Sequence, residues 1–392
     1  RGFTLALIKL LVGNKASGLH LSYVGAGAAK QLCQRVADIG HTNALVVTDK
    51  ALKELGLAEQ ALQGLSESGV NLHWYAGVEP DPTFTHVMEG AKILRATGCT
   101  AIVAVGGGSS MDAAKIIACT RSSDESPDQW VGLNKVPDDI LPVYAIPTTS
   151  GTGSEATMGA VIKDPVERVK MIIAAEGLLP QAVALDPDLL LGMPPAVTAA
   201  TGIDALTHGI EAYICVWDRG TRKENARLAV QGVFQWLPKA MAEPDNRDAR
   251  LGMALAAYHA GVAINQVSVG NVHAIAHQLG ARYGIPHGQA NALALPPVLK
   301  ACVAEAESAL AELAVVTDVS DAASPAARAQ AFIEAVSQLI ADVGIAESDA
   351  RIQPADWTLL THQAMDESDG YVSPRLLTKA EILGVLEQIT AR

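Results

Sequence analysis

Four side chains in the second half of the sequence, Asp204, His208, His273 and His287, have the types and spacing of a site for one divalent metal ion. They come in two packets. The first runs from Thr201 to His208. The second runs from Val272 to His277 and leads into the turn Gly284-Ile285-Pro286-His287-Gly288. Helical residues four apart share a face, so Asp204 projects beside His208, and His273 beside His277. Three neutral imidazoles and one carboxylate suit a borderline first-row ion, Fe2+ or Zn2+. No cysteine joins the set, which argues against a thiolate-bound structural zinc. A lone helical histidine, or one Asp/His pair, is more often a helix-face hydrogen bond than a ligand. Two pairs and a His-Gly after a Gly/Pro turn, all in one apolar region, favour the metal. The spacing is not HExxH, so a metalloprotease helix is not indicated.

The first half offers loops instead of side-chain clusters. Gly106-Gly107-Gly108-Ser109-Ser110 leaves an apolar run and opens a helical stretch, Met111 to Lys115, with Asp112 in its first turn. Consecutive glycines admit an anion to the backbone, and the free N–H groups of a helix start bind it. A pyrophosphate is the natural guest, with Asp112 counted among its binding residues. A second polar loop, Pro147 to Ser154, has hydroxyls and glycines suited to phosphate or nicotinamide contacts. Either loop alone is equally a plain strand-to-helix turn. Two at successive strand ends favour a ligand at the carboxyl edge of a sheet. Gly25 to Lys30 imitates the Rossmann fingerprint, but Lys30 stands where the third glycine belongs. Asp49 ends an apolar run, as a ribose-binding acid does; the other reading is a helix N-cap.

These residues need elements to hold them. Short β-rich runs at Ala44–Thr48, Asn71–Tyr75, Ala101–Val105 and Val143–Ile146 alternate with helical stretches such as Phe84–Thr97. That is the βαβ rhythm of a parallel sheet with helices on its faces. After Pro194-Pro195 strand signals nearly vanish. Helical patterns cover Ala196–Trp217, Lys223–Ala242 and Arg247–Ile264, with more to the C-terminus. The expected division is an α/β unit over 1–193 and an all-helical unit over 194–392, in line with the two to three domains of the length prior.

Composition excludes several classes. The net charge of −13, with no lysine/arginine cluster, argues against nucleic acid and anionic membranes as partners. Five scattered cysteines, never CxxC, read as buried apolar residues of a reducing, cytoplasmic compartment. The apolar run Phe3–Val12 is too short to span a bilayer and reads as a short packed helix.

Five segments together resemble the iron-containing, or group III, alcohol dehydrogenases: Ala44–Lys50, Val105–Lys115, Pro147–Glu155, Gly202–Tyr213 and Val272–Gly288. The resemblance spans almost all of the chain after Leu19. It implies a dehydroquinate synthase-like fold, with a Rossmann-like dinucleotide-binding domain, an all-helical domain and the active site between them. It implies NAD and one divalent ion, usually iron and in some members zinc, held by Asp204, His208, His273 and His287. By the same resemblance His277 is an active-site histidine that is not a ligand, either relaying a proton or orienting a ligand or the nicotinamide. Gly107, Gly108 and Ser109 match the pyrophosphate loop and Thr148, Thr149 and Thr152 the second cofactor loop. Lys170 and Leu189 match cofactor-contacting positions. Gly159 and Ile264 stand where several members put larger or polar pocket residues, so medium-chain or branched alcohols are expected over short diols. Ser373-Pro374-Arg375 replaces the usual Asn-Pro-Arg. The implied reaction is reversible hydride transfer between an alcohol and NAD, in a homodimer or larger homo-oligomer. Two other readings stand beside it. One is a lyase of the dehydroquinate synthase type, which needs a basic pocket where the stretch 254–288 offers only Arg282. The other is a non-catalytic assembly protein on the same fold.

Overall fold

The computed structural model describes residues 21–391 apart from 124, 165–168 and 219. The short helix expected over Phe3–Val12 lies outside the described residues. Strands β1 (Leu21–Val24), β2 (Asn43–Asp49), β3 (Asn71–Val78), β4 (Ala101–Gly106), β6 (Val143–Pro147) and β9 (Ala182–Leu185) form one sheet in the order β1-β9-β6-β4-β2-β3. Every neighbouring pair is parallel. The central strands are apolar on both faces because both faces are covered. Ala44 and Val46 of β2 pack with helix α1 (Ala28–Asp38) and the short helices α3 (Leu57–Ala61) and α4 (Gln63–Glu67), which follow α2 (Lys50–Glu54). Leu45 and Val47 pack on the other face with α5 (Phe84–Thr97) and α6 (Gly108–Cys119).

That arrangement positions the loops. The chain leaving β2 runs to helices on one face, and the chain leaving β4 runs to α6 on the other. Their carboxyl ends therefore diverge, which opens the crevice where α/β sheets bind ligands. Asp49 lies on one side of it and Gly106 to Ser109 on the other. Gly106 pairs with Pro147 of β6, so both polar loops leave the same edge side by side.

A second sheet, β5 (Gly132–Leu133), β8 (Val169–Ala174) and β7 (Gly159–Asp164), is not announced by the βαβ rhythm. Its strands are half-exposed, so they lack the continuous apolar runs of the central sheet. The antiparallel β7–β8 pair carries Gly159 and Lys170.

After β9 the described elements are helical: α7 (Pro195–Ile214), α8 (Arg222–Ala242), α9 (Arg247–Val267), α10 (Asn271–Tyr283), α11 (His287–Val316), α12 (Pro325–Asp342), α13 (Trp357–Ser368) and α14 (Lys379–Ile389), besides short 3-10 turns. Helix α7 stops at Ile214, short of the expected Trp217. The Arg222 guanidinium donates to the carbonyls of Ala212 and Tyr213 at 2.5 and 3.0 Å and satisfies that end. Glycines let the two halves touch through backbone. A Cβ on Gly153 would stand 2.5 Å from the Cα of Gly261 on α9, and one on Gly151 2.5 Å from the Thr201 side chain on α7. No described helix is long and apolar enough to cross a membrane.

Candidate active site

Helix α7 is buried all round from Thr198 to Tyr213, save Ala200 and Thr201 at half exposure, so the polar residues inside it need partners. Asp204 and His208 find them in His273 of α10 and His287, the first residue of α11. The chain turns into α11 through Gly284 at φ 66°. Gly288 then presses α11 against α7, where a Cβ would lie 2.0 Å from the carbonyl oxygen of Ala200. The Nε2 atoms of His287, His208 and His273 stand 3.4, 3.8 and 3.8 Å from Asp204 Oδ1. One donor atom from each of the four lies within 4.8 Å of the others. Two ligands about 2.1 Å from a common ion, at a tetrahedral angle, sit about 3.4 Å apart. The quartet thus has the spacing of a ligand set.

Its electrostatics point the same way. Burial pushes the Asp204 carboxyl up, but His208, His287 and His273 outweigh it and hold it well below the usual carboxylate range. Burial lowers His208 to about 4 and His287 well below its ordinary value, leaving both neutral, as ligation requires. Burial also pulls His273 down, yet Glu211 and Asp204 prevail and raise it to about 9. Two buried carboxylates here call for positive charge, which a divalent cation supplies. The donor set fits such an ion.

His277 sits one turn after His273 and outside the quartet. Its ring stacks on that of His287 at 5.2 Å. Its Nδ1 bonds Glu367 Oε1 at 2.5 Å, while Gln278 and Tyr371 donate to the same carboxylate at 2.6 Å each. Glu211, Glu367 and Asn291 were not singled out in the sequence. Asn291 donates to Asp204 Oδ1 at 2.7 Å. Faint signals exist: Glu211 is three residues after His208, and Asn291 four after His287.

The cofactor loops interlock. Gly107 would bring a Cβ within 3.1 Å of Thr149 Oγ1, and Gly108 within 2.7 Å of the Thr152 methyl. The Thr148 N–H donates to the Gly106 carbonyl at 3.0 Å. Ser109 is half-buried in the first turn of α6. Lys170 pairs with Asp81 at 2.8 Å and faces α10, where a Cβ on Gly280 would lie 3.8 Å from its Nζ. Asp49 caps α2, Oδ1 accepting the Leu52 N–H at 2.9 Å.

Two residues of the expected cofactor set are held by internal contacts. Both oxygens of Asp112 are engaged internally, by the Ser154 hydroxyl at 2.7 Å and the Val161 N–H at 2.9 Å. It braces the loops. Leu189 is 3% exposed and packs with α1 and the sheet, so its side chain has no surface to offer. The helix start after the Gly25 to Lys30 turn is already engaged. The Ala29 N–H at the start of α1 already donates to the buried Asp186 carboxylate at 3.1 Å. Beneath the two polar loops lies Lys115, fully buried, donating to Ser154 O and Oγ, Thr157 Oγ1 and Gly159 O at 2.7 to 3.2 Å. Gly159 has open space beside it. Its neighbour Met158 donates to Asn265, next to the half-buried Ile264, at 2.8 Å, so the two expected pocket residues lie close to one contact.

Residues 21–187 match the family model for iron-containing alcohol dehydrogenase, and residues 198–390 match that for its C-terminal part. The chain belongs to the iron-containing alcohol dehydrogenase family. It is 35% identical to an NAD-dependent methanol dehydrogenase of Bacillus methanolicus, over 93% of this chain and 97% of that one. It is 34% identical to a 1,3-propanediol dehydrogenase of Citrobacter freundii, over 94% and 97%. Among solved structures it resembles a 1,3-propanediol oxidoreductase, with a TM-score of 0.91 and 33% identity over 96% of this chain and 100% of that one. An alcohol dehydrogenase from Oenococcus oeni gives the same TM-score at 31% identity, over 95% and 100%.

Proposed function

We propose that this family member is an NAD-dependent alcohol dehydrogenase interconverting a primary or secondary alcohol with its aldehyde or ketone. One observation carries the reading: three imidazole nitrogens and one carboxylate oxygen converge at ligand spacing in the half that docks on the cofactor loops. The names of the methanol and propanediol relatives support an alcohol as the substrate class, and the open space at Gly159 favours members longer than theirs. Asp204, His208, His273 and His287 hold the ion, Fe2+ by family precedent. Bound there, it supplies a Lewis acid for the substrate oxygen. Gly106 to Ser109 hold the pyrophosphate at the start of α6. Thr148, Thr149, Thr152 and Lys170 would orient the nicotinamide end of NAD, which would supply the hydride acceptor. His277, with Nδ1 on Glu367, has Nε2 left to take the hydroxyl proton.

The units 1–193 and 194–392 are taken as the cofactor and metal domains. The last strand ends at Leu185 and α7 begins at Pro195, which supports that division. Five unbridged cysteines support a cytoplasmic enzyme. Among the described residues β1 is a sheet edge with Leu21 and Val24 each 49% exposed, which supports a homodimer or larger assembly. Arg282 pairs with Asp356 through Nε and Nη2, at 3.1 and 2.8 Å, which disfavours the lyase reading. Elemental analysis and an NADH absorbance assay with an alcohol panel test the proposal. Metal-free protein that oxidises alcohols at the full rate refutes the metal role, and inactivity of the iron- or zinc-loaded protein on every alcohol refutes the activity.

A further inference from the structure

Glu211 stands on α7 three residues beyond His208 and is 6% exposed. Three N–H groups converge on its carboxylate. Oε1 accepts from the Val272 backbone at 2.7 Å. Oε2 accepts from the Gly270 backbone at 2.7 Å and from His273 Nδ1 at 2.6 Å. The backbone donors belong to the first turn of α10, where the helix dipole favours an anion. Gly270 is needed for the approach, since a Cβ there would stand 2.7 Å from Oε1. The chain enters this turn through Ser268 at φ 67°, a strained conformation that persists only where neighbours enforce it.

We infer that Glu211 is the positioning residue of the metal centre. It ties the start of α10 to α7, fixes the His273 ring with its proton on Nδ1, and leaves the Nε2 lone pair turned toward Asp204. A carboxylate alone serves, because all three partners are donors. A glutamine sets its NH2 against at least one N–H in either orientation. Partners behind a ligating histidine are worth about 10- to 100-fold in metal affinity.

The inference rests on the metal centre proposed above, and its test separates the two. Zn2+ is titrated against a competing chelator into chelator-stripped wild type, Glu211→Gln and Glu211→Asp. The Gln variant is expected to bind about 10- to 100-fold more weakly, with Asp, which keeps the charge but not the reach, in between. In the zinc-loaded wild type, long-range 1H–15N NMR is expected to show His273 coordinated through Nε2, with a deshielded Nδ1 proton that moves upfield in the Gln variant. A residue that only capped α10 would lower the melting temperature and leave the affinity unchanged; binding within twofold of wild type therefore overturns the inference. Should the Gln variant not fold, the wild-type spectrum decides, and coordination through Nδ1 overturns it. Wild type that binds no zinc instead overturns the metal centre itself.

Discussion

In the helical half the reactive atoms are side-chain atoms, brought together from three helices and aimed at one point. In the sheet half the proposed binding atoms are mostly backbone N–H groups, at the end of β4 and the start of α6. The first region depends on chemical identity, since Asp204 and its histidines have many shape neighbours but few substitutes as ligands. The second depends on bulk, since Gly107, Gly108, Gly151 and Gly153 sit where a methyl group would meet another atom at about contact distance or closer. The two meet where the Pro147 to Ser154 loop lies on α7 and α9. Shape in one half thereby sets position in the other.

The largest expected effect tests the chemical half. His273→Ala removes a ligand and opens space without adding bulk. Metal retention should be lost, and kcat/KM should fall by about 1000-fold or more, because a Lewis-acid ion supplies several kcal/mol. Elemental analysis of the folded variant is the check. Full occupancy would break the comparison at its root.

Lys115 is where the sheet half stops being a matter of backbone alone. This buried ammonium serves four acceptors and neighbours Asp112 at 3.9 Å. Lys115→Met should cost about 3–5 kcal/mol in urea unfolding, as for other buried ions left unpaired. Zinc affinity of the folded fraction should hold. An unchanged unfolding midpoint would mean that the loops do not rely on this brace. The same cluster makes a pH prediction. Burial lifts Glu155 from 4.5 to about 7, so the folded chain holds an extra proton and stability falls as pH rises from 4.5 to 7. Burial lowers Lys115 from 10.5 to about 8, so the unfolded chain holds the extra proton and stability rises between 8 and 10.5. Glu155→Gln should flatten the acid limb and, by removing a charge that raises Lys115, extend the alkaline limb to lower pH.

What was legible in the sequence follows the same division. The metal quartet could be read because Asp and His at helical spacing are rare in an apolar stretch. The glycine loop could be read because a glycine triplet after a β-run has few other uses. Glu211 and Glu367 could not, since an acidic residue in a chain with 42 of them carries no mark until folding brings it under a histidine. Lys115 hid for the opposite reason: lysine is so seldom fully buried that a surface position is the default. The internal bonds of Asp112 and the burial of Leu189 carry no mark in the sequence, because both depend on elements distant along the chain. The antiparallel β7–β8 pair was missed because its strands are half-exposed and lack a continuous apolar run.

Asp49 sharpens the comparison, because a side chain here works on the edge of a backbone site. Its cap on α2 uses Oδ1, and capping and ribose binding are compatible. A 2′-phosphate about 4 Å away would meet roughly 4 kcal/mol of repulsion before screening, at an effective dielectric near 20. A preference of about 10- to 1000-fold for NAD over NADP is therefore expected. Asp49→Gly costs only a few tenths of a kcal/mol as a cap change. The ratio of NADP to NAD efficiency should rise by about tenfold or more. If both efficiencies decline together, Asp49 is a cap and nothing else.

The smallest effect belongs to Gly159, where the two halves would share the expected substrate pocket. It starts β7, and a Cβ there meets nothing within 4 Å. Gly159→Val therefore adds bulk without a clash, in a strand that suits a β-branched residue. This reverses the rule of the other loop glycines: the fold should be indifferent and only the substrate should notice. Each methylene displaced from the pocket loses about 0.8 kcal/mol, or about fourfold in kcat/KM. Across a series from ethanol to hexanol, the wild type should gain with chain length, and the variant should lose that gain at the longer members while keeping its activity on ethanol. A variant whose series superimposes on the wild type would move the pocket wall away from β7 and onto α9, where Ile264→Ala becomes the decisive substitution. A wild-type series that falls steadily from two carbons upward would remove the case for a roomy pocket altogether.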